Sequence, residues 1–164
     1  EGPNPLLSEA RVLRVRPVDT QGVECGTLGV AVCNPAVPNS SGQSGILRAV
    51  GSDVVADDDL TLQARQLPQN SFGLLVASRA PGLVLNVGGG AGTLCLSGTI
   101  GRFNAQLSNS GAAGSIDIPV SPAALAPPLG AASTGETIYF QLWFRDFALT
   151  PTSNLTDARA ITFR

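Results

Sequence analysis

The chain has 164 residues, 43% of them apolar and 13% charged, with a formal net charge of −2. That is the length of one domain, with enough apolar material for a core and too little charge for a solvated, disordered chain. No basic block suggests a nucleic-acid surface, no apolar run approaches the ~20 residues of a membrane span, and the lack of histidine removes the commonest general base and metal ligand.

In chain order, residues 1–9 read as a linker or N-terminal arm, because Pro3 and Pro5 deny them a regular element. Glu1, in place of an initiator methionine, suggests a processed chain or a piece of a longer one. Residues 10–164 read as a single domain. Residues 10–18 roughly alternate Val and Leu with Arg and carry a flanking Pro17, the pattern of an edge strand. A glycine-broken β-rich stretch follows at 23–32, and 33–44 carries every turn signal.

Short strands are then predicted at 45–51, 60–67, 72–78, 94–96, 99–103, 114–120, 137–145 and 159–163, each bounded by Gly, Pro, Asn or Asp. The run Leu60-Thr61-Leu62-Gln63-Ala64-Arg65 alternates as a half-buried strand does. Residues 122–125 are the one helical candidate, about a single turn. The pattern predicts an all-β chain, an antiparallel β-sandwich of jelly-roll type with about 8–10 short strands.

Cysteines stand at 25, 33 and 95, none in a CxxC pair. An odd count leaves either one disulfide with a spare thiol or three buried thiols. Cys33 and Cys95 precede turn-rich segments, which suits a staple between two sheets and leaves Cys25 free or paired with another chain.

From Cys33 onward, several stretches stand in a fixed order. They begin with Pro38-Asn39-Ser40-Ser41-Gly42, Gly51-Ser52-Asp53, Asp59-Leu60-Thr61-Leu62, Leu67-Pro68 and Phe72-Gly73. Gly92-Thr93-Leu94-Cys95-Leu96, Ile100-Gly101-Arg102, Asn109-Ser110-Gly111 and Gly135-Glu136 follow. The series ends with the run from Phe140 to Asp146 and with Ser153-Asn154-Leu155-Thr156-Asp157. In this the chain resembles a β-rich module found at the C-terminal ends of large secreted or surface proteins of Planctomycetes and some myxobacteria. The resemblance implies a disulfide between Cys33 and Cys95, an extracellular setting and a non-catalytic role. It brings no ligand with it.

Catalysis finds little support in the residues. A serine nucleophile lacks histidine or lysine as base, and the carboxylates at Asp53, Asp57, Asp58, Asp59, Asp117, Glu136, Asp146 and Asp157 follow no glycosidase pattern. Asp53, Asp57, Asp58 and Asp59 are a candidate Ca²⁺ turn without EF-hand spacing; a solvated acidic turn is the plainer reading. The run Gly88-Gly89-Gly90-Ala91-Gly92 lacks the Lys-Ser/Thr of a phosphate loop and reads as a flexible hairpin connection. Asn39 and Asn154 each head a glycosylation sequon, which in a bacterial chain reads as turn chemistry.

The segment 137–145 is the most informative. A period of two places Ile138, Phe140, Leu142 and Phe144 on a core face and Tyr139, Gln141, Trp143 and Arg145 on the other. The second set combines ring faces and polar forks, the equipment of a sugar platform. Its alternative is a second buried layer, with Trp143 under a loop and Arg145 paired to Asp146 or Asp157. The expected function is a secreted or cell-surface module for adhesion or carbohydrate binding, whose partner is a glycan or surface component, with no nucleic acid and no membrane insertion. The alternative is a fibre subunit that binds copies of itself by strand exchange through Leu6, Leu7, Val12, Leu13 and Val15.

Overall fold

The computed structural model describes residues 26–147 and 151–164. Cys25, the predicted strand at 10–18 and the assembly residues Leu6, Leu7, Val12, Leu13 and Val15 lie outside the described residues. In chain order the strands are β1 (Val30–Val32), β2 (Ile46–Gly51), β3 (Leu60–Arg65), β4 (Phe72–Leu85) and β5 (Thr93–Arg102). After these come β6 (Ser108–Asn109), β7 (Ile116–Val120), β8 (Thr137–Phe147) and β9 (Pro151–Thr162). The predicted helical turn is a 3-10 turn at Pro122–Ala124.

Two antiparallel sheets pack face to face, as the alternation requires. The larger runs β1-β9-β8-β4-β5, with β6 also paired to β4, and the smaller runs β2-β3-β7. Leu60, Leu62 and Ala64 on β3 and Ile116, Ile118 and Val120 on β7 turn their apolar side inward. They meet Leu75 and Ala77 on β4 and Ile138, Phe140, Leu142 and Phe144 on β8, the last four fully buried. The predicted core face of β8 is therefore the centre of the sandwich.

A bulge in β9 joins the sheets at one corner. The β8–β9 register passes from Gln141↔Ala158 to Trp143↔Leu155, so β9 carries an extra residue around Thr156 and Asp157. Thr156 Oγ1 replaces the lost ladder acceptor, taking the Leu142 N–H at 3.1 Å. Asp157 then faces β2: its N–H donates to Gly45 O at 3.0 Å, and its Oδ1 accepts the Leu47 N–H at 2.6 Å. Arg159 Nε donates to Leu47 O at 3.1 Å. The outer edge of β2 is thus finished by side chains of β9, which also blunts it as a template for pairing. Burial pushes the Asp157 carboxyl up to about 6, against the Leu47 N–H and the charges of Arg159 and Arg48.

Where the sequence predicts separate strands at 94–96 and 99–103, β5 is continuous, and β4 runs on to Leu85. The β4–β5 ladder slips twice, between Ser78 and Ala80 and between Pro81 and Val84. Such bulges bend and twist a ribbon, and this one folds back across the outer face of its own sheet. Its tip is seated on β9, where the Ala91 N–H donates to Ser153 O at 2.8 Å. The approach requires glycine: a side-chain carbon at Gly92 would lie 2.5 Å from Leu155 N, and one at Gly90 2.6 Å from Ser153 Oγ. The glycine run is thus a docked tip rather than a flexible connection.

Cys33 and Cys95 stand at disulfide distance, their Cα atoms 6.3 Å apart. The position corrects the expectation of a staple between sheets. Cys33 follows β1 and Cys95 lies in β5, the two edge strands of one sheet. Four inter-strand steps would separate flat edges by roughly 19 Å. The folded hairpin brings Cys95 over the face, and the bridge clasps it to the loop after β1. No helix among the described residues is long and apolar enough to cross a membrane.

Candidate functional site

The residues Tyr139, Gln141, Trp143 and Arg145 do share the outer face of β8, but the folded hairpin divides them. Gln141 is fully buried beneath it. Its Oε1 accepts the Cys95 N–H at 2.9 Å, and its Nε2 donates to Thr93 O at 2.9 Å and Thr156 O at 2.8 Å. With every polar atom engaged, Gln141 is a clip that holds the hairpin down rather than a ligand contact. Tyr139 lies on the far side of this clip, in register with Ser78 and Ala160, and does not line the cleft.

Trp143 and Arg145 remain together, in a cleft of about 430 Å³ between the sheet and the hairpin. Its floor is apolar: Leu74 and Leu155 flank Trp143 in register, and Val76 and Ile100 continue the surface. Val87, Gly88 and Leu94 of the hairpin form the roof. Arg145 stacks over the Trp143 ring, its guanidinium carbon 5.1 Å from the centroid. Stacking engages the guanidinium face and leaves its in-plane N–H donors free to bond. Trp143 is half-buried and Arg145 exposed. The cleft lies in the ~300–1,000 Å³ range of small-molecule sites.

Neither carboxylate expected to pair with Arg145 is available to it. Asp146 points to the opposite face, is buried, and accepts the Ser40 N–H at 3.0 Å and the Phe147 N–H at 2.9 Å. Asp157 is held at the β2 corner.

The candidate calcium turn does not gather its carboxylates. Asp53 chelates the Arg164 guanidinium at 2.6 and 3.0 Å, and Asp57 accepts the Ser52 hydroxyl at 2.5 Å. Asp58 and Asp59 are exposed, and among the described residues no three or more carboxylates or cysteines come together as metal ligands would. The attraction of Asp53 to a C-terminal arginine far away in sequence is the physical reason.

Sequence reasoning missed Arg102 on β5 and the roof at Val87 and Gly88, which also line the cleft. Arg102 sits in register with Val76, on the same outer face as Trp143. The signal for the roof was the spacing of Gly90 and Gly92, which marks close backbone approach as well as a turn. The sequon asparagines serve the fold: Asn39 Nδ2 donates to Gln66 O at 2.7 Å, and Asn154 Nδ2 to Pro38 O at 3.2 Å. Together these features define an all-β sandwich with a hairpin-roofed cleft. No protein-family model, curated protein or solved structure matches the chain.

Proposed function

We propose that the protein is a non-catalytic, extracellular β-sandwich module that binds carbohydrate through the Trp143–Arg145 cleft, as an adhesion or glycan-binding element. The observation that carries the reading is the combination of an apolar floor, an indole and an outward guanidinium in one preformed cleft of about 430 Å³. Sugars offer both an apolar C–H face and a rim of hydroxyls, and this arrangement matches both. The lining by apolar side chains, one indole and two guanidiniums is the equipment of binding rather than turnover. The Cys33–Cys95 pair supports an oxidising compartment.

The test is retention of the protein in gels containing soluble polysaccharides, comparing the native chain with Trp143→Ala. Retention should be lost. The accompanying loss of stability should stay below the ~3–5 kcal/mol of an emptied aromatic core site, because Trp143 is half-exposed. A Trp143→Ala protein that is folded and retained as strongly as the native chain overturns the reading.

A further inference from the structure

The arginines of the described chain divide into two groups. Arg65 pairs with Asp117, Arg79 with Glu136, and Arg164 with Asp53. Arg159 is bound to Leu47 O, and Arg48 also has a partner. Arg102 and Arg145 alone among the described arginines have no carboxylate or carbonyl partner, and both line the cleft beside Trp143. Among the described residues, no acidic residue lines it. A chain of net charge −2 thus keeps two unneutralised guanidiniums in the cleft beside Trp143, where a carboxylate of its own would have quenched them.

Resting on the carbohydrate reading above, we infer that the ligand is an anionic glycan, one whose sugar units carry carboxylate or sulfate groups. The planar fork of arginine bonds such oxyanions through two parallel N–H donors, and a guanidinium is desolvated more easily than an ammonium. The geometry favours a polymer over a single small anion. The Cα positions of Arg102 and Arg145 lie two strands apart, roughly 10 Å across the sheet, and are offset along the strands by about four residues, roughly 13 Å. Charges on separate sugars of one chain match two arginines rooted on separate strands, while the apolar floor between them takes the ring faces.

The experiment compares retention in gels containing polygalacturonate, dextran sulfate, neutral dextran or polyglutamate, for the native chain and for Arg102→Gln, Arg145→Gln and Arg65→Gln. The native chain should be retarded by polygalacturonate, by dextran sulfate, or by both, at least tenfold more strongly than by dextran. The two polymers show which oxyanion is read. Arg102→Gln and Arg145→Gln should each weaken that retention about tenfold with a melting temperature close to native, since Arg102 breaks no internal pair and Arg145 gives up only its stack on the half-exposed Trp143. Arg65→Gln, the same change of charge outside the cleft, should leave it intact. Equal retention by neutral dextran, insensitive to Arg102 and Arg145 but lost in Trp143→Ala, would overturn the anionic inference and leave the carbohydrate reading standing. Retention by polyglutamate as strong as by the sugars would overturn it too, as charge attraction alone. No retention by any polysaccharide would overturn both readings.

Discussion

β8 and β9 carry polar side chains on both faces, and the two faces treat them in opposite ways. On the inner side, at the β2 corner, Asp157, Arg159 and Thr156 are buried and bonded to named backbone groups. On the outer side, Trp143 is half-exposed and Arg145 exposed, and the guanidinium stacks on the indole. Polar groups that hold a fold together are saturated, because an unpaired buried one costs about 1–3 kcal/mol. Polar groups that await a ligand are left unsaturated where water can serve them. The contrast separates structural from functional polarity within a single strand pair, and Gln141, outward yet saturated, falls on the structural side.

The largest effect should come from cutting the clasp between the edges of the large sheet. Cys33 and Cys95 close a loop of 62 residues, for which the chain-entropy model gives about 4 kcal/mol. Cys33→Ser/Cys95→Ser should lose stability of this order in urea titrations. If the outer layer is the more loosely held, exchange of the Cys95 amide should accelerate well before that of the Leu47 amide, which is locked to Asp157. Equal acceleration of both would show that the two layers open as one unit and would erase the distinction.

The inner corner should reveal itself through pH. Burial raises the Asp157 carboxyl from 3.8 to about 6, so between those values the native state binds the proton that the unfolded chain has released. The contribution of Asp157 is therefore most favourable below the unfolded value and falls as pH rises to about 6, by up to roughly 3 kcal/mol, then stays flat. Glu136 runs the other way: the Arg79 hydrogen bond holds it below the ordinary range. The difference between the native chain and Asp157→Asn isolates the Asp157 term. Asn keeps an acceptor for the Leu47 N–H and removes the titration, so stability relative to native should rise by the same amount between pH 4 and pH 7. An unchanged difference would mean that Asp157 is not desolvated and that the corner is wet.

The core was legible in the sequence because it depends only on a period of two. Leu60 to Arg65 and the Ile138, Phe140, Leu142 and Phe144 stripe lie where alternation puts them. Half the candidate site was legible for the same reason, since register alone puts Trp143 and Arg145 side by side on one face. What was not legible depends on long-range folding. The bend after Ser78 comes from slips in the β4–β5 ladder, and although the spacing of Gly90 and Gly92 marks a close approach, it does not say that the surface approached is Ser153 and Leu155. Gln141 and Arg102 change meaning once the hairpin is laid over them, the first becoming a clip and the second a cleft wall. Asp53 changed meaning through Arg164, a contact that no spacing rule anticipates.

Gln141 offers the finest test of the division between faces, because it lies between Tyr139 and Trp143 yet belongs to the fold. Gln141→Leu keeps most of the volume but leaves the Cys95 N–H and the Thr93 and Thr156 carbonyls without their partner. Stability should fall by about 2 kcal/mol, the cost of buried groups left partly unpaired. Polysaccharide retention should fall as well, although Trp143, Arg102 and Arg145 are untouched, because the roof over the cleft is no longer pinned. Gln141→Glu sharpens the point. It keeps an acceptor for the Cys95 N–H but sets a carboxylate against two carbonyl oxygens. It should therefore be more damaging at pH 7 than at pH 4, where the protonated acid again donates to one of them. A glutamate variant that retains polysaccharide equally at both pH values would show that the roof does not depend on this clip.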